Sequence, residues 1–280
     1  MPNSPEFAVA YYGVLRAGAT VTTLNTLYSA TEVARQLKDS KAKAYITMSS
    51  LLTTADDAAR QAGIPAEAII VVDRSDHRAS LADLIEHHLP APEVTVDPST
   101  ALAALPYSSG TTGLAKSVML THRNLVANIA QSSIPIDVNR DDRVMAVLPF
   151  FHIYGMNTIM NLTLYRRGTL VTMPKMELPT FLDLVQSRRV TYLYIAPPIA
   201  VALAKHPIVD DYDLSSIRRG SARPTWRPGS SPAPRRPNRV SCARPSGVCA
   251  CLNRRTRSYA GRRRTCPKRI CREKVVPARE

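Results

Sequence analysis

Between positions 107 and 125 the chain reads YSSGTTGLAKSVMLTHRNL, a stretch that gathers hydroxyl side chains, two glycines and one lysine. That mixture is what gripping a phosphate requires. Gly110 and Gly113 let a backbone turn and approach an anion, Ser108, Ser109, Thr111 and Thr112 add hydroxyl donors, and Lys116 adds a positive charge. ALAALPY before the loop reads as a short buried strand and LTHRNLVANIAQS after it as a helix. The predicted unit is therefore strand, loop, helix, with backbone N–H groups facing the ligand. Taken one residue at a time, the same string is an exposed Ser/Thr/Gly turn. A Walker loop is excluded, because that pattern needs four residues between its first glycine and a Gly-Lys pair, and here Ala115 precedes Lys116.

The whole string is similar to the signature loop of the AMP-forming adenylating enzymes, a family that includes acyl- and aryl-CoA ligases, peptide-synthetase adenylation domains and beetle luciferases. Three further stretches agree in the expected order: MPNSPEFAVAYYGVLRAGATVTTLN at 1–25, LPFFHIYGM at 148–156 and YLYIAPPIAVAL at 192–203. Together they most resemble 4-coumarate-CoA ligase-like members, over residues 1–219. Ala115 stands where the family usually has proline and Ser117 where it usually has glycine; neither change removes a phosphate contact. The resemblance implies that the loop holds ATP phosphates while a carboxylate attacks the α-phosphorus, and that a thiol, usually CoA, then displaces AMP. Hydroxyls, backbone N–H groups and Lys116 suit that step, in which the protein positions two anions and neutralises phosphate charge. It also implies that Lys116 and His152 are catalytic, and that His152 and Tyr154 meet the acyl or aryl group with Gly155 leaving room beside them. Without its LPFFHIYG context, His152 reads as a packed loop histidine. ATP, Mg2+ and CoA are the implied cofactors and co-substrates, and an aryl or fatty carboxylic acid the implied substrate.

The elements that must position these residues follow from hydrophobic period and punctuation. Residues 4–17 read as a helix, with Pro5 in its first turn and Gly18 at its end. ATVTTL follows as a strand, and Ser29 with Glu32 makes a capping box that opens a helix to Asp39. Strands are predicted at AKAYITM, at 68–73, and over RVMAVL, TLVTM and TYLYIA. Helices are predicted at 50–62, over SLADLIEHH, at 121–132, at 155–166, over LPTFLDLVQS and from Pro198. Strands alternating with helices call for an α/β fold of parallel sheets covered on both faces. Tyr11, Tyr12 and Leu15 read as a helix's core face, Arg123 as an exposed first-turn residue, and Arg188 with Arg189 as a solvated helix end. Asp210, Asp211 and Asp213 read as an acidic surface turn, and no metal ligands are predicted. No run approaches the length of a membrane span, and the chain reads as cytoplasmic.

Charge divides the chain near Arg219. Of 280 residues, 45% are apolar, which suits a soluble core. Residues 1–219 carry 20 Lys+Arg against 20 Asp+Glu, while residues 220–280 carry 17 against 2 and hold the whole excess of +15. The last 61 residues also hold all five cysteines and Trp226, with only six Leu, Ile, Val or Phe, too few to offset the entropy of ordering. Their arginines would attract nucleic-acid phosphates, but no aromatic interleaving or known module accompanies them, so no specific nucleic-acid partner is predicted. Cysteines at 242, 249, 251, 266 and 271 contain no Cys-x-x-Cys pair for zinc, and no signal peptide supports a secreted disulfide module. The Arg, Pro, Ser, Ala, Cys and Gly vocabulary matches GC-rich DNA read out of frame. One codon choice for ARPTWRPG at 222–229, read two bases later, gives AAHLAPG, which resembles the family's continuation.

Two domains are therefore expected, a partial N-terminal AMP-binding domain at 1–219 and a disordered, out-of-frame basic tail at 220–280. The resemblance places Met1-Pro2-Asn3 inside a family segment, which implies an unpaired sheet edge. It also implies later residues without counterparts at 220–280: a Tyr-Gly-x-Thr-Glu segment, a ribose-binding aspartate, a hinge and a catalytic lysine. The leading expectation is an incomplete acid-CoA ligase, weakly active or inactive alone. The alternatives are a non-catalytic protein binding nucleic acid or acidic surfaces through its basic tail, and a fatty-acyl-AMP ligase or luciferase-like relative.

Overall fold

The structure, a computed structural model, describes residues 1–73, 78–108 and 115–220. The expectations for the tail, and for Ser109, Gly110, Thr111, Thr112 and Gly113, lie outside the described residues. Helix α1 (Pro5–Arg16) starts where Ser4 accepts a hydrogen bond from the Phe7 N–H, with proline in the first turn. Gly18 follows at φ +74°, a left-handed conformation suited to glycine. Helix α2 (Ala30–Asp39) opens on the Ser29/Glu32 capping box, as the spacing predicts. Then come β1 (Tyr45–Thr47), α3 (Leu52–Ala62), β2 (Ile69–Val71) and α4 (Leu81–Glu86). Strands β1 and β2 pair in parallel, and Val33, Leu37, Ala58, Ala59 and Ile69 form the core beneath them.

The next segment departs from expectation. Strand β3 (Leu102–Ala104) is followed by β4 (Tyr107–Ser108), β5 (Lys116–Ser117) and β6 (Leu120–Thr121), and only then by α5 (His122–Ser132). Strands β4 and β5 pair antiparallel, as do β3 and β6, so the presumed phosphate loop joins the arms of a hairpin and does not run into a helix. The predicted strand ATVTTL reduces to one bridge, Val21 to Ala104. Its threonines turn sideways instead: Thr20, Thr22 and Thr23 donate to the carbonyls of Leu102, Leu105 and Phe151 at 2.9, 3.0 and 2.6 Å.

The larger sheet fits the parallel prediction. It contains β7 (Arg143–Ala146), β8 (Thr169–Thr172), β9 (Tyr192–Leu193) and β10 (Arg219–Gly220) in the order β10-β9-β7-β8, all parallel. Period-two alternation sorts its side chains between two cores. Val144, Ala146, Tyr192 and Tyr194 pack with Phe7, Tyr11, Phe150 and Met156, whereas Met145 and Leu193 pack with Phe181, Leu182 and Val185. The last three belong to α7 (Leu178–Ser187), and α8 (Pro197–Lys205) follows β9. Helix α7 has the predicted bounds, and Arg188 and Arg189 beyond it are exposed.

The helix predicted at 155–166 is π-helical over Tyr154–Asn161 before α6 (Leu162–Tyr165). The wider coil turns Asn157 and Asn161 inward, where apolar residues would be usual. The two side chains are joined at 3.0 Å, and Asn157 also donates to Asn128 at 2.7 Å. Tyr12, at 42% exposure, lies at the rim of the core and not within it, and its hydroxyl donates to Asn161 at 2.9 Å. Tyr11 is buried and Leu15 packs against the same core, as their helical spacing predicts.

Candidate functional site

In a parallel sheet, ligand-binding loops collect beyond the carboxyl ends of the strands. His152 and Tyr154 lie there, on the segment leaving β7, next to the segment that connects β9 to α8. The β7 segment is held from far away in sequence. Asn3, 4% exposed, donates to the carbonyls of Ala146 and Leu148 at 2.8 and 2.9 Å and accepts from the Phe150 N–H at 2.7 Å. Thr23 takes the next carbonyl, that of Phe151.

Locally the chain then turns on itself. His152 donates its N–H to the Pro149 carbonyl at 3.1 Å, and its own carbonyl receives Met156 N–H at 2.9 Å, an α-type turn leading into the π-helix. The His152 ring is exposed, and its Nδ1 accepts from the Tyr154 N–H at 3.2 Å. In the neutral ring the proton then sits on Nε2, which is the nitrogen left for a ligand. Tyr154, 40% exposed, meets Tyr194 edge to face at 6.3 Å, and Tyr194 lies 4.9 Å from Tyr192. The three rings form a graded aromatic wall, from exposed Tyr154 to fully buried Tyr194.

The Tyr194 hydroxyl is buried without a hydrogen bond of acceptable geometry, although the Tyr192 hydroxyl lies near it. Burial, with added repulsion from Tyr192 and Tyr154, pushes its ionisation far above the ordinary tyrosine range. Tyr194→Phe is therefore expected to stabilise the protein by about 1 kcal/mol, because it removes an unsatisfied buried hydroxyl. A urea-midpoint shift to higher concentration at unchanged m-value checks this.

Gly155 is required by the turn itself. It is buried, and a Cβ there would sit 2.0 Å from the Pro149 carbonyl oxygen and 2.6 Å from its carbon. The space where a side chain would stand is filled by the protein's own backbone, so Gly155 shapes the turn beneath His152.

The hairpin carries the other candidate residues. Ser108 and Lys116, both exposed, are register partners at its mouth, and the Val118 N–H donates to the Pro106 carbonyl at 2.9 Å just behind them. Lys116 makes no ion pair among the described residues, so its charge faces solvent at the loop's edge. Tyr107 anchors the same hairpin by donating its hydroxyl to the Asp39 carboxylate at the end of α2. Burial first, and then that carboxylate, pushes the Tyr107 hydroxyl up to about 12.

Helix α5 does not offer the anion-binding end that a strand-loop-helix would supply. Its His122 N–H donates to the Ala101 carbonyl at 3.2 Å and its Arg123 N–H to that of Pro98 at 2.8 Å. Thr121 and Asn124 close a capping box on each other. The N–H groups of His122, Arg123 and Asn124 are thus all used internally, and the first turn of α5 has none of them to offer an anion.

His152, Tyr154 and Gly155 thus come together in one turn, and Ser108 and Lys116 at one hairpin mouth. No hydrogen bond or ion pair joins the two groups among the described residues. Nor do those residues contain a cluster of three His, Cys, Asp or Glu able to hold a metal, or a helix long and apolar enough to cross a membrane. Sequence reasoning missed Asn3 and Thr23, which have no local signature. It also missed Asp142, which ties together the amino-terminal ends of β7, β9 and β10.

Residues 1–240 match the model of a protein family described as AMP-binding enzyme. The chain is 39% identical over 226 residues to a 4-coumarate–CoA ligase of Nicotiana tabacum, covering 78% of this chain and 41% of that one. It is 36% identical over 229 residues to the 4-coumarate–CoA ligase of Pinus taeda, with the same coverage. The fold is similar to a long-chain-fatty-acid-CoA ligase, FadD1, from Archaeoglobus fulgidus, at a TM-score of 0.70 and 26% identity, over 78% of this chain and 44% of that one. It is also similar to ATP-bound MatB from Rhodopseudomonas palustris, at a TM-score of 0.66 and 28% identity, over 79% and 42%. The chain spans about 41% of the length of the curated relatives it matches.

Proposed function

We propose, because this chain belongs to the AMP-binding enzyme family, that it supplies the phosphate-binding and acyl-binding walls of an ATP-dependent acid-CoA ligase of the 4-coumarate type. The observation that carries this reading is the exposed Lys116, without an ion-pair partner among the described residues, standing opposite Ser108 at the mouth of the Ser/Thr/Gly loop. A carboxylate would attack the α-phosphorus of ATP, giving an acyl-adenylate and pyrophosphate. The thiol of CoA would then attack the acyl carbonyl and release AMP. Lys116 and the hydroxyls and N–H groups of residues 108–113 would hold the phosphates. His152, with Nε2–H outward, would donate to an oxygen of the carboxylate or of the adenylate, and Tyr154 would lie along the acyl group.

Exposed Tyr154, backed edge to face by buried Tyr194, favours a flat aryl acid over a linear chain. Among the described residues no cluster of acidic side chains stands ready to hold Mg2+. Domain division follows the same reading, with residues 1–219 as the ligase-like portion and 220–280 as a separate tail.

Titration calorimetry of the full chain with ATP tests the phosphate wall. Lys116→Ala is expected to weaken ATP binding by about ten- to a hundred-fold, the loss of a charge-assisted phosphate contact. Absence of ATP binding by the parent chain, or binding indifferent to Lys116, would sink the proposal. Carboxylate-dependent exchange of pyrophosphate into ATP tests the acid: hydroxycinnamates should outperform fatty acids, and the reverse order overturns the aryl assignment.

A further inference from the structure

Asn3 lies outside every motif that suggests chemistry, yet it makes three long-range hydrogen bonds to the segment that carries His152. The cause is a gap in the sheet. Strand β7 has β9 and β8 as neighbours, but its pairing with β9 ends at Met145 and that with β8 at Ala146, while the chain continues toward Pro149. Among the described residues no strand lies beside the peptide groups beyond, and Phe150 in their midst is fully buried. Unpaired polar groups in such a place are costly. The carboxamide of Asn3 fills the gap as a single peptide unit would. Its N–H groups serve the carbonyls of residues 146 and 148, and its oxygen receives the N–H of residue 150.

Pro149 has no N–H of its own, so beyond Leu148 the Phe150 amide is the first donor able to fix the path into the turn. Two residues later comes His152, whose N–H returns to Pro149 and whose ring is held through Nδ1 by Tyr154. Thr23 adds a fourth side-chain contact, at Phe151. We infer that Asn3 is a positioning residue that sets the orientation of His152, with Thr23 as its second support, by completing the backbone hydrogen bonding of the 146–151 segment. The role of that histidine rests on the ligase reading above; the mechanical coupling between Asn3 and the ring does not.

The experiment measures the ring directly. In full-length protein labelled with 15N-histidine, long-range 1H–15N correlation reports which nitrogen of His152 carries the proton, and His152→Gln assigns the signal. The parent protein should show the Nε2–H form with Nδ1 as acceptor. Asn3→Ala should move the signal toward the average of a free imidazole, and Thr23→Val should move it less in the same direction. Thr23→Val carries the test alone if Asn3→Ala does not fold. Asp142→Ala, which destabilises the amino-terminal end of the sheet, away from the segment that Asn3 holds, is the control for a general loss of stability and should leave the signal in place.

An unmoved signal in the foldable variants overturns the inference, and so does an equal shift in Asp142→Ala. A parallel titration uses an acyl-sulfamoyl adenosine, a stable mimic of an acyl-adenylate. Asn3→Ala should bind it about ten-fold more weakly than the parent. If the parent chain does not bind the mimic, the ligase reading fails, while the histidine signal still decides the role of Asn3.

Discussion

Replacing Gly155 with alanine should lower stability by about 3 kcal/mol, the upper part of the range for overpacking a well-filled interior. The added methyl would stand 2.0 Å from the Pro149 oxygen, 2.6 Å from its carbon and 3.1 Å from the Leu148 oxygen. All three are backbone atoms, so no side-chain rotation relieves the clash. The start of the π-helix must move away from the end of β7 by about an ångström, which strains the His152 turn and the packing of fully buried Phe150 and Met156. Gly13 offers the control: it lies within α1 with nothing within 4 Å of its added Cβ. Gly13→Ala should be stabilising by roughly 0.5–1 kcal/mol through helix propensity. Chemical denaturation of the two variants should thus give shifts of opposite sign. A Gly155→Ala protein within about 0.5 kcal/mol of the parent would contradict this account of the turn.

A loss of similar size is expected from Asp142→Ala. The Asp142 side chain is 2% exposed, and four donors converge on it. Arg218 Nε and the Thr191 hydroxyl reach one oxygen at 2.6 and 2.7 Å, and the Asn139 N–H reaches the other at 2.8 Å, where Arg218 Nη2 also donates. Thr191 and Arg218 precede β9 and β10, so this carboxylate ties the amino-terminal ends of β7, β9 and β10 together. Its removal leaves Arg218 and Thr191 without their acceptor. Loss of one partner of a buried pair costs about 3–5 kcal/mol, and the partial exposure of Arg218 places this case at the lower end.

The same group predicts a dependence on pH. Burial alone would raise the Asp142 ionisation, but hydrogen bonds from Arg218, Thr191 and the Asn139 N–H outweigh it, and the net value in the folded protein is lowered. A carboxylate lowered on folding contributes stability that is complete above its unfolded value, near 4, and is lost as pH falls through the folded value beneath it. The parent should therefore lose stability below about pH 4 more steeply than Asp142→Ala. Parallel acid-unfolding curves for the two proteins would count against this assignment.

Elements that carry their own terminating chemistry were legible in the chain. The Ser29/Glu32 box, the proline of α1 and the amphipathic run at Leu178–Ser187 each fix a helix through neighbours within a turn or so. The three- and two-residue strands were legible only as apolar runs, because a strand acquires its bounds from its partner. ATVTTL shows the difference: its pattern is that of a strand, but its threonine hydroxyls are drawn to the carbonyls of Leu102, Leu105 and Phe151, leaving a single bridge. The presumed phosphate loop was legible in composition and not in shape. Its return strand, Lys116–Ser117, is too short to announce a hairpin.

The amino-acid sequence by itself determined the family and the α/β class and singled out two sets of candidate residues, since all of these rest on residue types at fixed local spacing. Only the tertiary structure decided how those residues are held. Gly155 proved to admit the Pro149 backbone, α5 to use its first N–H groups internally, and Asn3 to stand in for a missing strand beside β7. The reason is physical: hydrogen-bond demand arises where a sheet ends, and the side chain that meets it can lie 147 residues away, as Asn3 does from Phe150.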